Sequence, residues 1–410
     1  MRDLKTKLAR LPSLKSSGNR PSKTSEPSNE FGFDHELGFG RRWFTFEPNK
    51  QNDWHLLKDS SPDYVIEDAL KISPDVLSAY RGPIFLDTET TGLGHGASTY
   101  PFLIGLTYWG QTAWYGEQLF LSSPVHERAM LQYLLDRIKD AKIIITFNGK
   151  SYDIPLLNTR MRLHRLPLIE PTAHLDLYHL LRGVLKHQMS RCRLIDFETS
   201  ILKFYRVGDI DGADIPAAYF SFLHGHDCGA IGQVVEHNEY DVRSMVHLLT
   251  WYLRVVVSAS GDSDDRLEYA FLAKLVNRAT SPWVVERLDD LLNRSHDSWL
   301  KTRCARLVYE AKHRTNLVQA MAVLLDHYAE CDLPLRSFFA RRLSIHFEHE
   351  YKQLRAALRY ASDTELDEGM SAHQKRINRL RSKLNVLEGT SEVEFHERFE
   401  SMFECLSSAR

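Results

Sequence analysis

PIFLDTETTGLG, residues 83–94, decides the fold. Its first half is a short apolar run that reads as a strand, and its second half is a Gly-rich turn. Side chains alternate across a strand, so Asp87 and Glu89, one residue apart, leave its C-terminal end on the same face. Two acids on one face attract a divalent cation. Working outward, YPFLIGLTYWG (100–110) and TAWYGEQLFL (112–121) read as two further strands, completing a three-strand meander. HERAMLQYLLDRIKDA (126–141) repeats Met130, Leu134, Leu135 and Ile138 at helical spacing, and the apolar run KIIITFN (142–148) reads as a buried strand.

Two more acidic elements follow. FNGKSYD (147–153) places Asp153 five residues beyond Asn148, at the start of a helix expected over 151–163 with Pro155 in its first turn; helix N-termini favour anions. HNEYD (237–241) lies in an apolar helix expected over 236–256 and sets His237 and Asp241 at i and i+4, on one face. Asp241 is roughly in register with Met245, Leu248 and Tyr252, so a bare carboxylate there needs a cation or partner. Each acid alone has an ordinary structural reading: solvated strand end, helix cap, satisfied helix group. The three elements in this order point to a metal site.

These motifs resemble the DEDD superfamily of 3′-to-5′ exonucleases, in FLDTETTGLG, FNGKSYD and the acid of HNEYD, across residues 82–255. Within it, RVGDIDGADIPAAYFSFL (206–223) and EHNEYDVRSMVHL (236–248) resemble the YprB-like ribonuclease H family. The resemblance implies an α/β ribonuclease H-like fold, a mixed sheet flanked by helices. It also implies Asp87, Glu89, Asp153 and Asp241 as ligands of two Mg²⁺ or Mn²⁺ ions. His237 is the candidate general base, although it precedes Asp241 by three intervening residues where the superfamily's histidine subtype has four. Oxygen ligands suit Mg²⁺ or Mn²⁺ better than Zn²⁺, and paired ions can activate water and clamp a phosphodiester.

Around these groups, Thr90, Asn148, Lys150 and Tyr152 are candidates for binding substrate, through phosphate contacts from Lys150 and the 90–94 backbone and base stacking on Tyr152. Asp176 in HLDLYHLL reads as a helix cap or a supporting acid. His174, His179 and His187 have no accompanying thiol or acid cluster, so no separate metal site is expected there. The basic stretch Arg182–Arg193 is the local candidate for a nucleic-acid backbone, against a solvated helix face.

Lys plus Arg (52) nearly balance Asp plus Glu (54), which excludes a bulk positive field as the means of attracting nucleic acid. The five cysteines lack CxxC pairing, which argues against a zinc site or a disulfide scaffold and for a reducing, cytoplasmic setting. Nothing approaches the roughly 20 apolar residues of a membrane span. The expected organisation is a basic, disordered tail over 1–40, a lead-in over 41–80, the ribonuclease H-like domain over 81–260, an all-α domain over 266–390 and a C-terminal tail over 391–410. Amphipathic segments such as 297–314, 316–331 and 335–361 suggest a tetratricopeptide-like array, or a plain bundle, that offers a surface to a protein partner.

The leading expectation is a metal-dependent nuclease, a 3′–5′ exonuclease by resemblance, acting on DNA or RNA that is single-stranded or has a free 3′ end. The alternatives are an endonuclease of the same chemistry, and a nucleic-acid-binding scaffold with a catalytically weak core.

Overall fold

The computed structural model describes residues 31–388 apart from 35–37, 47–62, 73–82, 93, 95–97, 111–112, 187, 226–228, 258–263 and 277–279. Residues 1–30 of the tail expected over 1–40, and the tail expected over 391–410, lie outside these residues, whereas 31–34 and 39–40 of the first belong to strands. The chain divides into two compact units, residues 1–257 and 258–410.

The first unit is built on a seven-stranded mixed sheet. Its strands are β1 (Phe31–Asp34), β2 (Phe39–Phe46), β3 (Ile84–Thr90), β4 (Pro101–Trp109), β5 (Trp114–Phe120), β6 (Ile143–Thr146) and β7 (Ala173–Asp176). Their order is β1-β2-β5-β4-β3-β6-β7, with β3–β6 and β6–β7 parallel and the other pairs antiparallel. The meander read from the sequence is β3-β4-β5. The parallel strand β6 is IIIT and is buried throughout, as expected for a strand covered on both faces.

The stretch assigned from sequence to the tail and lead-in also contributes to this sheet. β2 pairs antiparallel with β5 from Gly40↔Phe120 to Phe46↔Trp114, and Phe39, Phe44 and Phe46 enter the core. Its eight residues mix charges with aromatics, so only the partner strand identifies it. Gly116 on β5 is part of that match: a Cβ there would come within 2.0 Å of the Phe44 ring.

The flanking helices are α1 (Asp63–Leu70), α2 (Glu127–Ile138), α3 (Asp153–Leu163), α4 (Leu177–Leu185), α5 (Leu194–Phe197), α6 (Ile215–Leu223) and α7 (Gly229–Val257). α2 buries Met130, Leu131, Leu134 and Ile138. α7 begins seven residues before the start expected at 236, because Ile231 and Val234 extend its buried stripe into the core and packing overrides the low helix propensity of Gly229 and Gly232. None of the described helices is long and apolar enough to cross a membrane.

The second unit is helical throughout its described residues, with α8 (Asp265–Leu275), α9 (Pro282–Arg294), α10 (Ser298–Lys312), α11 (Leu317–His327), α12 (Leu333–His349), α13 (Leu354–Ala361), α14 (Glu365–Glu368) and α15 (Met370–Glu388). Asp264, Asn316 and Asp332 cap helix starts by accepting backbone N–H groups, as does Asp297. Burial of Glu268 is compensated by ion pairs to Arg287 and Arg294.

Candidate metal centre

β3 lies between β4 and β6, so its C-terminal end carries Asp87 and Glu89 to the middle of the sheet. α3 starts at Asp153, where Thr88 Oγ1 donates a hydrogen bond to Asp153 Oδ1 at 2.5 Å. The helix N-terminus adds its favourable field for a carboxylate. α7 packs on β3 and β4 and presents His237, Asn238 and Asp241.

One ligand atom each from Glu89, His237 and Asp241 lies within 4.8 Å of the others. Asp87 and Asp153 stand outside that trio but share its field. Burial, then the charges of Asp241, Glu89 and Asp153, push the Asp87 carboxyl well above the usual carboxylate range. Burial, followed by Asp241 and Asp153, raises Glu89 likewise. Asp153 is pushed up to about 6, mainly by burial, against the lowering effect of the Thr88 hydrogen bond. Buried acids that repel one another favour protons or cations over bare charge.

Five residues to which the sequence reading gave no role organise this cluster. The Arg206 side chain, 2% exposed, donates to both carboxylate oxygens of the fully buried Glu198, from Nε at 2.8 Å and from Nη2. The same guanidinium binds Asp241 Oδ1 and reaches Asp209 Oδ2 at 3.2 Å. Asp209 Oδ1 is 2.8 Å from His237 Nδ1, while His237 Nε2 lies 3.5 Å from Asp241 Oδ2. In the tautomer that carries its hydrogen on Nδ1, the ring donates to Asp209 and turns a bare Nε2 toward Asp241. Asn238 Nδ2 donates to Asp87 Oδ2 at 2.9 Å, and Asn238 Oδ1 accepts from Gln118 Nε2 at 3.0 Å. Arg206 and Asp209 belong to the RVGDID stretch, whose form was legible, but spacing alone assigned it no role.

The other candidate residues frame the cluster differently. Thr90 Oγ1 bonds Gly92 O and Tyr152 Oη, and Tyr152 Oη donates to Gly92 O at 2.6 Å, so both hold the loop after β3. Asp176 is the expected cap of α4, accepting from Tyr178 N, and it also accepts from Asn148 N at 2.8 Å and Lys150 N at 3.0 Å. It thereby shapes the 148–150 turn, in which Asn148 is left-handed (φ 63°) and exposed. Gly149 is required there, because a Cβ would come within 2.5 Å of Thr146. Lys150 is exposed beside the turn. His174 bonds Thr146 Oγ1, and burial lowers it to about 4, which fits a structural histidine. His179 is exposed, and His187 lies outside the described residues. In the basic stretch, Arg182, Lys186 and Arg191 are exposed, whereas Arg193 is engaged by Asp196.

The donor set fits a hard divalent cation. One guanidinium bonds Glu198, Asp209 and Asp241 and lies in the field of Glu89, leaving carboxylate charge in excess. Glu89 and Asp241 offer carboxylate oxygen, the donor that suits Mn²⁺ and Mg²⁺, with the His237 ring beside them.

Residues 84–253 match the model of the RNase_H superfamily. The chain is also similar to "Uncharacterized protein YprB" of Bacillus subtilis (strain 168), at 29% identity over 304 residues, covering 73% of each protein.

Proposed function

From the premise that residues 84–253 are a ribonuclease H-like domain, we propose that the protein is a divalent-metal-dependent nuclease that hydrolyses DNA or RNA, and by its motifs a 3′–5′ exonuclease. The observation that carries this reading is the convergence of Glu89, His237 and Asp241 beside the half-buried Asp87 and the buried Asp153. Such an arrangement disfavours bare charge and is offset by cations.

In this reading Glu89, Asp241, Asp87 and Asp153 hold two Mg²⁺ or Mn²⁺ ions. Bound there, the ions supply an activated water and charge stabilisation at the phosphodiester. The chain's own groups do the rest. Asp209 fixes the His237 ring, so a neutral imidazole presents Nε2 as the base that accepts the water's proton. Arg206 holds Asp241 by one oxygen and leaves the other toward His237. Thr88 orients Asp153, and Asn238 orients Asp87. Lys150 and the turn after β3 are the proposed contacts for the substrate backbone, with Thr90, Asn148 and Tyr152 shaping them.

The test is degradation of 3′- and 5′-labelled single-stranded DNA and RNA by wild type and by Asp87→Ala and Asp153→Ala, with Mn²⁺ or EDTA. Wild type is expected to shorten substrates from the 3′ end only with metal, and both variants to lose this. Retained digestion by both variants overturns the reading. Internal cleavage of a circular substrate indicates an endonuclease, and binding without turnover indicates a scaffold.

A further inference from the structure

The segment Lys203–Asp209, KFYRVGD, inverts the usual partition of side chains. Its Arg206 side chain is 2% exposed and its Asp209 side chain 13% exposed, whereas Tyr205 and Val207 are 66% and 87% exposed. A buried charge and an exposed apolar surface are each the informative exceptions to the rule of apolar residues inside.

Local geometry explains how the inversion is held. The chain leaves α5 through a π turn, Glu198–Leu202, and reverses at Lys203, which is left-handed (φ 55°). Arg206 and Asp209 then pin the segment onto the face of α7 that carries His237 and Asp241. Arg206 also lies over the Tyr240 ring, with its Cζ 5.5 Å from the centroid, and Phe204 packs against Tyr240 at the same separation. Gly208 O accepts from Gln233 Nε2 at 3.2 Å, which ties the far end to α7. Tyr205 and Val207 flank Arg206 in sequence, so a surface that faces solvent is anchored by a guanidinium in contact with Asp241.

We propose that Phe204, Tyr205 and Val207 form a platform on which unpaired nucleobases stack as their strand enters the acid cluster, an inference that rests on the nuclease reading above. The polymer's phosphates are drawn to the acids by cations bound there, and its bases need an apolar surface close by. Lys203, exposed at the head of the same segment, offers positive charge for a neighbouring phosphate. Aromatic rings interleaved with cations are the composition of single-strand grooves, where stacking tolerates any base because every base has a π face.

The experiment measures anisotropy of a labelled single-stranded oligonucleotide and of an abasic strand of equal length. The full chain is used as wild type, Tyr205→Ala and Tyr205→Ala/Val207→Ser, in Ca²⁺ without Mn²⁺. These side chains are exposed, so melting temperature serves as a control for folding. Wild type is expected to favour the base-bearing strand. The variants are expected to bind that strand on the order of tenfold more weakly, while their affinity for the abasic strand stays unchanged. Equal weakening on both strands, or no weakening, overturns the proposal. Variants that instead dissociate a dimer without changing oligonucleotide binding also overturn it, assigning the surface to a second copy. Digestion by wild type in Mn²⁺ is read in parallel. Digestion with unaltered binding by the variants removes the platform and leaves the nuclease reading. Base-dependent binding lost in the variants, without digestion by wild type, removes the nuclease reading and leaves the platform. Wild type that binds neither strand removes both.

Discussion

Gly105→Ala tests how Asp87 is held. Gly105 on β4 sits opposite Asp87 on β3, and a Cβ there would lie 2.2 Å from Asn238 Oδ1 and 2.9 Å from Val242 Cγ1. Ordinary contact begins at 3.4 Å, so the amide oxygen must retreat by more than an ångström. Asn238 is fully buried, with its oxygen held by Gln118 and its nitrogen donating to Asp87, so it has no space to move and keep both bonds. Overpacking costs about 1–3 kcal/mol, and leaving a buried polar group without its hydrogen-bond partner costs about 1–3 kcal/mol. Together the substitution should destabilise the sheet unit by about 3–5 kcal/mol, a fall in melting temperature of about 10 °C for a domain of this size. Loss of the Asn238 donor also raises the Asp87 carboxyl further, so Mn²⁺ affinity measured by calorimetric titration should fall. Gly232→Ala on α7 meets nothing within 4 Å and provides the contrast, with stability unchanged or raised by up to about 1 kcal/mol of added helix propensity. A Gly105→Ala protein that melts within about 2 °C of wild type, roughly 1 kcal/mol or less, and titrates Mn²⁺ identically would refute this account of the Asp87 environment.

Asp176→Ala removes the acceptor for three backbone N–H groups, at Asn148, Lys150 and Tyr178. A loss of about 2–4 kcal/mol is expected, with faster amide hydrogen exchange at residues 148 and 150; unchanged exchange at both would show that the turn holds itself. The raised Asp87, Glu89 and Asp153 carboxyls carry a pH signature, since the metal-free folded chain retains protons that the unfolded chain releases between the ordinary carboxylate range near 4 and about 6 for Asp153. Stability of the metal-free protein from these groups therefore declines as pH rises through that window. Because a cation displaces those protons, the rise in melting temperature on adding Mn²⁺ should grow from pH 5 to pH 7. A rise independent of pH across that range contradicts protonated acids in the metal-free cluster.

Chain periodicity by itself determined the middle of the first unit. The β3-β4-β5 meander, α2, β6 and α3 are visible because apolar spacing separates strands from helices, and a two-residue repeat places Asp87 and Glu89 on one face wherever the strand lies. The helical character of the second unit was legible for the same reason, from its amphipathic stripes. Tertiary structure decided what needs a partner distant in the chain. β2 is a strand because β5 accepts it, and α7 begins at Gly229 because Ile231 and Val234 meet the core. Asn238 became the holder of Asp87 only when α7 crossed the β3–β4 pair at Gly105. Arg206 and Asp209 illustrate the limit most clearly: in sequence they are two charges in a loop, where solvation is the default. In the fold, that loop is pressed against the helix bearing His237 and Asp241, and burial turns their charges into contacts that hold those two side chains. Local pattern encodes which way a side chain leaves its own element, whereas the low-dielectric contact between elements determines what that side chain must bind.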